Sequence, residues 1–345
     1  MDGKAVILTQ GMLETHNAKT AHGLIRGTDR YQIVGVIDES HAGKDAGEVL
    51  DGVHRGIPIY ESIASYPMEE HPADFLIIGV ATKGGYIPES MRLVLAAAII
   101  KGFNIVNGLH DFLSDNEDMV KLASKHQVDL IDIRKPRSKD QLKFWEGTIH
   151  QVTCPIVAVL GTDCAIGKRT TARMLMEEAK VQGFRSEMIF TGQTGWLQGA
   201  NYGFIFDSTY NDFVSGELEH AIVTCFRKES PDFIFVEGQS AMRNPTGPCG
   251  AEFLLSGAAS GVVLQHAPGR KYFGGDPALG VIPSLETELE LIRIYGTRTL
   301  AIALNTSGLT ASEADNYQRE YRNALGIPVV QPLKDGVGEI VSLIQ

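Results

Sequence analysis

The stretch PIVAVLGTDCAIGKRTTARML, residues 155–175, decides the fold. Ile156–Leu160 are five consecutive apolar residues and read as a buried strand. The turn that follows is flanked by Gly161 and Gly167, and Lys168 opens a segment with helical character to residue 182. A buried strand, a glycine-flanked turn and a helix N-terminus together form a cradle for phosphate, because the turn's N–H groups and the helix dipole converge on one point. The usual pattern is G-x-x-x-x-G-K-[ST]. Here five residues separate the glycines, and Arg169 stands where a small hydroxyl normally holds magnesium.

That substitution bears on the chemistry. Lys168 fixes the register, and successive helix residues rotate by about 100°, so Thr170 does not point where residue 169 would. Phosphoryl transfer depends on magnesium bridging the phosphates, whereas gripping a pyrophosphate does not. The loop is therefore expected to hold a phosphate-bearing cofactor rather than cleave it. Gly161, Thr162, Asp163, Gly167, Lys168, Arg169, Thr170 and Thr171 are the contacts, and no metal is expected.

Apolar runs alternate with helical segments along the rest of the chain, which indicates parallel sheets covered by helices. The 345 residues suit two such α/β domains. In the first half, strands are expected at 5–9, 33–38, 75–80, 104–108 and 129–133, with helices at 17–26, 88–101 and 117–126. That order is Rossmann-like, yet the first turn lacks G-x-G-x-x-G. Asp38 ends the second strand where a ribose-binding acid would sit. The basic segment 134–147 connects the halves, with Phe144 and Trp145 as docking residues. The second half restarts at 156–160, with strands at 187–191, 233–238, 261–266, 300–305 and 328–332 and helices at 168–182, 212–228, 286–295 and 312–325. The division expected is a Rossmann-like N-terminal domain at 1–135, a linker at 136–153 and a P-loop NTPase-like parallel-sheet domain at 154–345.

Composition narrows the partners. A formal charge of −11 argues against general nucleic-acid or anionic-membrane binding. No run approaches the ~20 apolar residues of a membrane span, and no leader pattern stands at the N-terminus, so a cytoplasmic location is expected. Cys154, Cys164, Cys225 and Cys249 form no C-x-x-C and read as reduced thiols.

Three more stretches of the second half carry polar groups at strand ends. TGQTGWLQGANYG, 191–203, reads as a glycine-rich turn offering Gln193, Thr194 and Gln198 as hydrogen-bonding groups and Trp196 as a cover for an adenine or acyl chain. FIFVEGQSAMRNP, 233–245, puts Glu237 at a strand tip beside the loop, as metal ligand, general base or backbone acceptor. LQHAPGRKYFGG, 264–275, ends a strand on His266, suited to proton transfer, followed by Arg270, suited to two-point anion binding.

These motifs, GTDCAIGKRTT, TGQTGW, DFVSGELEHA, FVEGQSA and LQHAPGR, with NIVNGLHDFLSD and DLIDIRKP upstream, resemble a bacterial and archaeal family long carried as a domain of unknown function. Its characterised member is a D-glutamate N-acetyltransferase, and the resemblance covers nearly the whole chain. It implies transfer of an acetyl group from acetyl-CoA, as co-substrate, to the amine of an acidic amino acid. Gln193 and Trp196 join the loop residues as cofactor contacts, Glu237 or His266 is the base, and Arg243, Arg270 and Lys271 hold the acceptor's carboxylates. The loop alone also resembles dethiobiotin synthetase, in which threonine follows the lysine. That leaves an ATP/Mg-dependent kinase or ligase as the alternative, using Lys168, Thr170 or Thr171, Asp163 and Glu237. A nucleotide- or CoA-binding protein without turnover is a third reading. A dehydrogenase is disfavoured by the missing glycine fingerprint. The partner expected is a small molecule, and self-association into a homo-oligomer is anticipated.

Overall fold

The computed structural model describes residues 2–344. The chain divides into two compact units, one of residues up to Pro136 together with Gln193–Gly199, the other of Arg137–Gly192 and Ala200 onward.

The first unit is built on six parallel strands: β1 (Gly3–Leu8), β2 (Tyr31–Ile37), β3 (Ile59–Tyr60), β4 (Phe75–Ile78), β5 (Asn104–Asn107) and β6 (Leu130–Asp132). Their order is β3-β2-β1-β4-β5-β6, so the chain builds outward from β1 on one side and then returns to build on the other. The sheet is Rossmann-like, with a switch point between β1 and β4. Ala5 to Leu8 are fully buried, as a central parallel strand covered on both faces requires. Asp38 follows β2 but does not face an open crevice. Its carboxylate accepts the Thr9 hydroxyl at 2.6 Å and the Leu13 N–H at 3.1 Å, and pairs with His41 Nδ1 at 2.7 Å.

The second unit holds seven parallel strands: β7 (Ile156–Gly161), β8 (Ser186–Phe190), β9 (Tyr202–Gly203), β10 (Phe233–Glu237), β11 (Gly261–His266), β12 (Thr299–Leu304) and β13 (Val329–Val330). In the order β13-β12-β11-β7-β10-β8-β9, β7 lies between β11 and β10. The tips of these three strands therefore converge on the turn after β7. Each buried Phe, Ile or Val of β7 and β10 contributes roughly 1.5–3 kcal/mol by leaving water. The helix Lys168–Val181 starts where Gly167 adopts φ +108°, a conformation L side chains rarely take. Thr171, Leu175 and Ala179 recur every four residues on its buried face.

The segment read as a linker is a strap on the second unit from Arg137 onward. Glu217 and Glu219, both buried in the helix Asn211–Glu229, receive it: Glu217 accepts the Lys143 N–H at 2.8 Å, and Glu219 accepts those of Glu146 and Ile149 at 2.6 and 2.9 Å. Arg137 forms an ion pair with Glu217. Gly216 lets the strap pass, since a Cβ there would sit 2.1 Å from the Lys143 carbonyl. Phe144 packs on Phe213 with ring centroids 4.4 Å apart and the planes tilted by 35°, and the Trp145 indole N–H donates to the Ser256 carbonyl at 3.2 Å. The motif DFVSGELEHA is thus the strap's seat, where the sequence showed only an apolar helix face.

Candidate active site

The turn after β7 is held from inside by its own aspartate. Asp163 is fully buried, and its carboxylate accepts four hydrogen bonds: from the Cys164 N–H at 2.7 Å, Asn244 Nδ2 at 2.9 Å, Arg270 Nη1 at 2.7 Å and the Gly274 N–H at 2.8 Å. Burial pushes its pKa up, but the Arg270 bond and the two N–H groups outweigh that and hold it below the usual carboxylate value. This one side chain ties the β7 turn to the segments after β10 and β11.

Lys168 crosses back over the turn. A Cβ on Gly161 would come within 3.0 Å of the Lys168 stem, so this glycine gives the lysine its path. Its ammonium donates at 2.7 Å to the carbonyls of Asp163 and Ser240. Both partners are main-chain carbonyls, not carboxylates. Burial draws its pKa down to about 8, against the opposing pull of nearby acidic groups. Neutral carbonyls offset the cost of burying an ammonium in part, which is why its charged form is disfavoured there.

The hydroxyls have other duties. Thr162 Oγ1 lies 2.9 Å from His266 Nδ1, and Thr171 donates to Gln265 Oε1 at 2.6 Å. Thr170 is half-buried, as is Arg169 in the first turn of the helix. The Arg169 charge is the strongest influence opposing burial at Glu237.

Glu237 ends β10 and is buried. Burial raises its pKa, while the charges of Arg169 and Lys168 and the N–H groups of Thr191 and Gly192 act to lower it. One carboxylate oxygen accepts the Thr191 N–H at 3.1 Å. His266 ends β11, and burial drives its pKa down to about 4. Besides Thr162, its ring meets Tyr321, whose hydroxyl is 3.4 Å from Nε2. The imidazole is neutral at neutral pH and engaged on both nitrogens.

Of the expected acceptor cations, Arg270 is paired with Asp163, and Arg243 with the buried Glu288 at 2.7 Å and with Thr287 at 2.8 Å. Lys271 is exposed, its ammonium 5.2 Å from the Tyr272 ring. Gln193 and Trp196 lie in the segment that belongs to the first unit. Residues 193–197 form a short helix rather than the open glycine turn expected from TGQTGW. The Trp196 ring is covered by the Arg30 guanidinium at 4.1 Å, and its carbonyl accepts from Arg30 Nε at 2.7 Å.

Three polar groups near the loop escaped the sequence reading. Asn244 braces Asp163, Gln265 braces Thr171, and Asn305 donates to the Ile166 carbonyl at 2.8 Å. Gln265 and Asn305 share one legible signal, a lone amide at the C-terminal end of an apolar strand.

Fold and site together define an α/β protein in which a Rossmann-like unit accompanies a P-loop unit. The chain belongs to the DUF1611 family. Residues 143–341 match the domain of unknown function described as the DUF1611_C P-loop domain, and residues 39–136 match the DUF1611_N Rossmann-like domain. The chain is similar to a D-glutamate N-acetyltransferase of Pseudoalteromonas sp., 30% identical over 277 residues, covering 78% of this chain and 81% of the relative. A D-glutamate N-acetyltransferase of Tritonibacter scottomollicae is 31% identical over 278 residues, covering 78% of this chain and 80% of that one. The crystal structure of a DUF1611 family protein from Anabaena variabilis superposes with a TM-score of 0.90 at 28% identity, covering 99% of each chain. Among the described residues, no helix is long and apolar enough to cross a membrane.

Proposed function

We propose that this protein is an N-acetyltransferase that moves an acetyl group from acetyl-CoA to the amine of an acidic amino acid, D-glutamate above all. The observation that carries the reading is the pairing at the head of the helix Lys168–Val181: a buried ammonium whose hydrogen-bond partners among the described residues are carbonyls, followed by Arg169 in place of the magnesium-binding hydroxyl. Two relatives named as D-glutamate N-acetyltransferases support the reaction class and the acceptor.

In this reading the turn Gly161–Gly167 and Lys168 grip a phosphate group of coenzyme A, and Arg169 adds a charge-assisted contact. The phosphates serve as a handle and are not transferred. Glu237 takes the proton from the acceptor's ammonium. Its raised pKa makes it a stronger base than an ordinary carboxylate, whereas His266, drawn down to about 4, has little affinity for a proton. The freed amine attacks the thioester carbonyl, the N–C bond forms as the C–S bond breaks, and the thiolate of coenzyme A leaves and takes up the proton that the new amide nitrogen sheds. Asp163 and Arg270 act by keeping the turn in shape.

The ATP-dependent alternative uses Lys168, Thr170 or Thr171, Asp163 and Glu237 around magnesium, and two of these side chains are engaged elsewhere. Thr171 is bonded to Gln265, and Asp163 already accepts four hydrogen bonds. Thiol release from acetyl-CoA in excess chelator, with acidic amino acids as acceptors, tests the proposal. Release that depends on D-glutamate and survives the chelator is expected. No release with any acidic amino acid, beside ATP turnover abolished by the chelator, sinks it.

A further inference from the structure

The helix Glu89–Ile100, which connects β4 to β5 in the first unit, is apolar on two sides. Met91, Leu95, Ala98 and Ile99 form one stripe, and all four are fully buried in the core of that unit. Leu93, Ala96, Ala97 and Ile100 form a second. Their i, i+3, i+4, i+7 spacing is that of a packing stripe, and at about 100° per residue it lies on the opposite side of the helix. Leu93 is 66% exposed and Ile100 57%, with the two alanines half-buried.

A surface helix ordinarily turns polar residues outward. The neighbouring helix Glu117–His126 does so: it buries Met119 and Ala123 and exposes Glu117, Asp118, Lys121 and Lys125. A lone apolar residue on a surface needs no explanation, but a helix that is apolar all round is one that becomes covered.

Shape and charge both indicate the cover. The exposed stripe reads alike from either end, with a large aliphatic side chain at each end and two alanines between. Two such helices crossing antiparallel about a two-fold axis near Ala96 and Ala97 set Leu93 of each copy against Ile100 of the other, and the alanines let the helix axes approach. The two ends carry unlike charges. Glu89 extends the same face at the N-terminal end, its side chain 81% exposed, and Lys101 caps the C-terminal end, its ammonium anchored at 3.1 Å to the carbonyls of Ala64 and Tyr66. The antiparallel arrangement brings the acid of one copy toward the lysine of the other, whereas a parallel one would set like charges together. Four side chains fall short of the ~800 Å² per partner of a standard interface. Tyr86, just before the helix, and Val120, on its neighbour, are 71% and 38% exposed and are expected to extend the contact.

We propose that this face is where two copies of the chain meet, with the helices Glu89–Ile100 packed antiparallel across a two-fold axis. The proposal does not depend on the acetyltransferase reading.

Sedimentation velocity of the full-length protein over a concentration series is the test. A dimer, or a larger even-numbered assembly, is expected for the wild type. Leu93→Lys should raise the dissociation constant of this contact roughly a hundredfold, turning a dimer into a monomer or a tetramer into a dimer, with the circular dichroism spectrum unchanged. Ala97→Cys is the second variant, since it leaves the stripe apolar and the helix intact. A short bismaleimide should link two copies of it at about ten times the yield seen with wild type, whose cysteines are Cys154, Cys164, Cys225 and Cys249. A wild type that stays monomeric, an assembly unchanged by Leu93→Lys, or an Ala97→Cys protein that links no better than wild type overturns the proposal.

Discussion

The two units solve one topological problem in opposite ways. In each, a central parallel strand runs into a turn that leads to a helix. After β1, the turn is filled by a carboxylate of the protein itself: Asp38 accepts the Leu13 N–H and the Thr9 hydroxyl. After β7, the corresponding space is crossed by a lysine whose ammonium rests on two carbonyls. A turn whose donors serve an internal anion has less to offer an external one, while a buried cation held by neutral acceptors favours one. Both turns hold an internal aspartate, since Asp163 takes the Cys164 N–H, so the contrast is that the first turn is closed by its carboxylate alone and the second adds the buried ammonium of Lys168.

The contrast can be broken by mutation. The largest effect is expected at Glu237, where Glu237→Gln keeps the shape but removes the base. Acetyl transfer should fall roughly a thousandfold in kcat, with KM for acetyl-CoA nearly unchanged. A comparable loss in His266→Gln, with Glu237→Gln active, would reassign the base.

Asp38→Ala should cost about 3 kcal/mol of stability, because it strands the Leu13 N–H and His41. Chemical denaturation reads this, and acetyl-CoA affinity should not change. If Asp38→Ala instead weakened acetyl-CoA binding with no loss of stability, the first turn would not be closed.

Lys168→Ala should raise the Kd for acetyl-CoA about a hundredfold, roughly 2.7 kcal/mol, with little loss of stability. Binding that survives this change would remove the second turn from the ligand site.

The smallest expected effect is on pH dependence. The Lys168 pKa is lowered from 10.5 to about 8 in the folded chain. The charge is present below that pH and lost as pH climbs through it, so acetyl-CoA affinity should decline above about pH 8. Stability moves the other way. Between about 8 and 10.5 the folded state binds fewer protons at this site than the unfolded state, so the folded form gains stability as pH rises across that window. Wild type compared with Lys168→Met isolates both slopes, and parallel slopes in the two proteins would contradict the assignment.

The sequence showed most of this architecture and less of the site. Strands such as Gly261–His266 and Phe233–Glu237 were legible because each is an apolar run ending in a polar residue, as buried parallel strands are. The two-residue strands Ile59–Tyr60 and Tyr202–Gly203 were not, since two residues carry no periodicity. Gln193–Leu197 contains a glycine and sits in a glycine-rich stretch, so its helical turn was hidden. At the site, the loop and its edit at Arg169 could be read directly, but the pairings could not. Arg270 looked available for a substrate carboxylate because its partner, Asp163, lies 107 residues away in sequence. Arg243 is likewise paired with a residue far along the chain, Glu288 on a later helix. A strand tip shows which groups converge, and only the folded chain shows which of them are already engaged.

Whether the edited loop holds a phosphate or transfers one is tested most directly by Arg169→Thr. The measurement is acetyl-CoA affinity in excess chelator alongside ATP turnover with magnesium, for wild type and variant. A five- to tenfold weaker Kd for acetyl-CoA, with no ATP turnover in either protein, is the result expected. Magnesium-dependent ATP turnover that appears or rises in Arg169→Thr, with acetyl-CoA affinity unmoved, would contradict it.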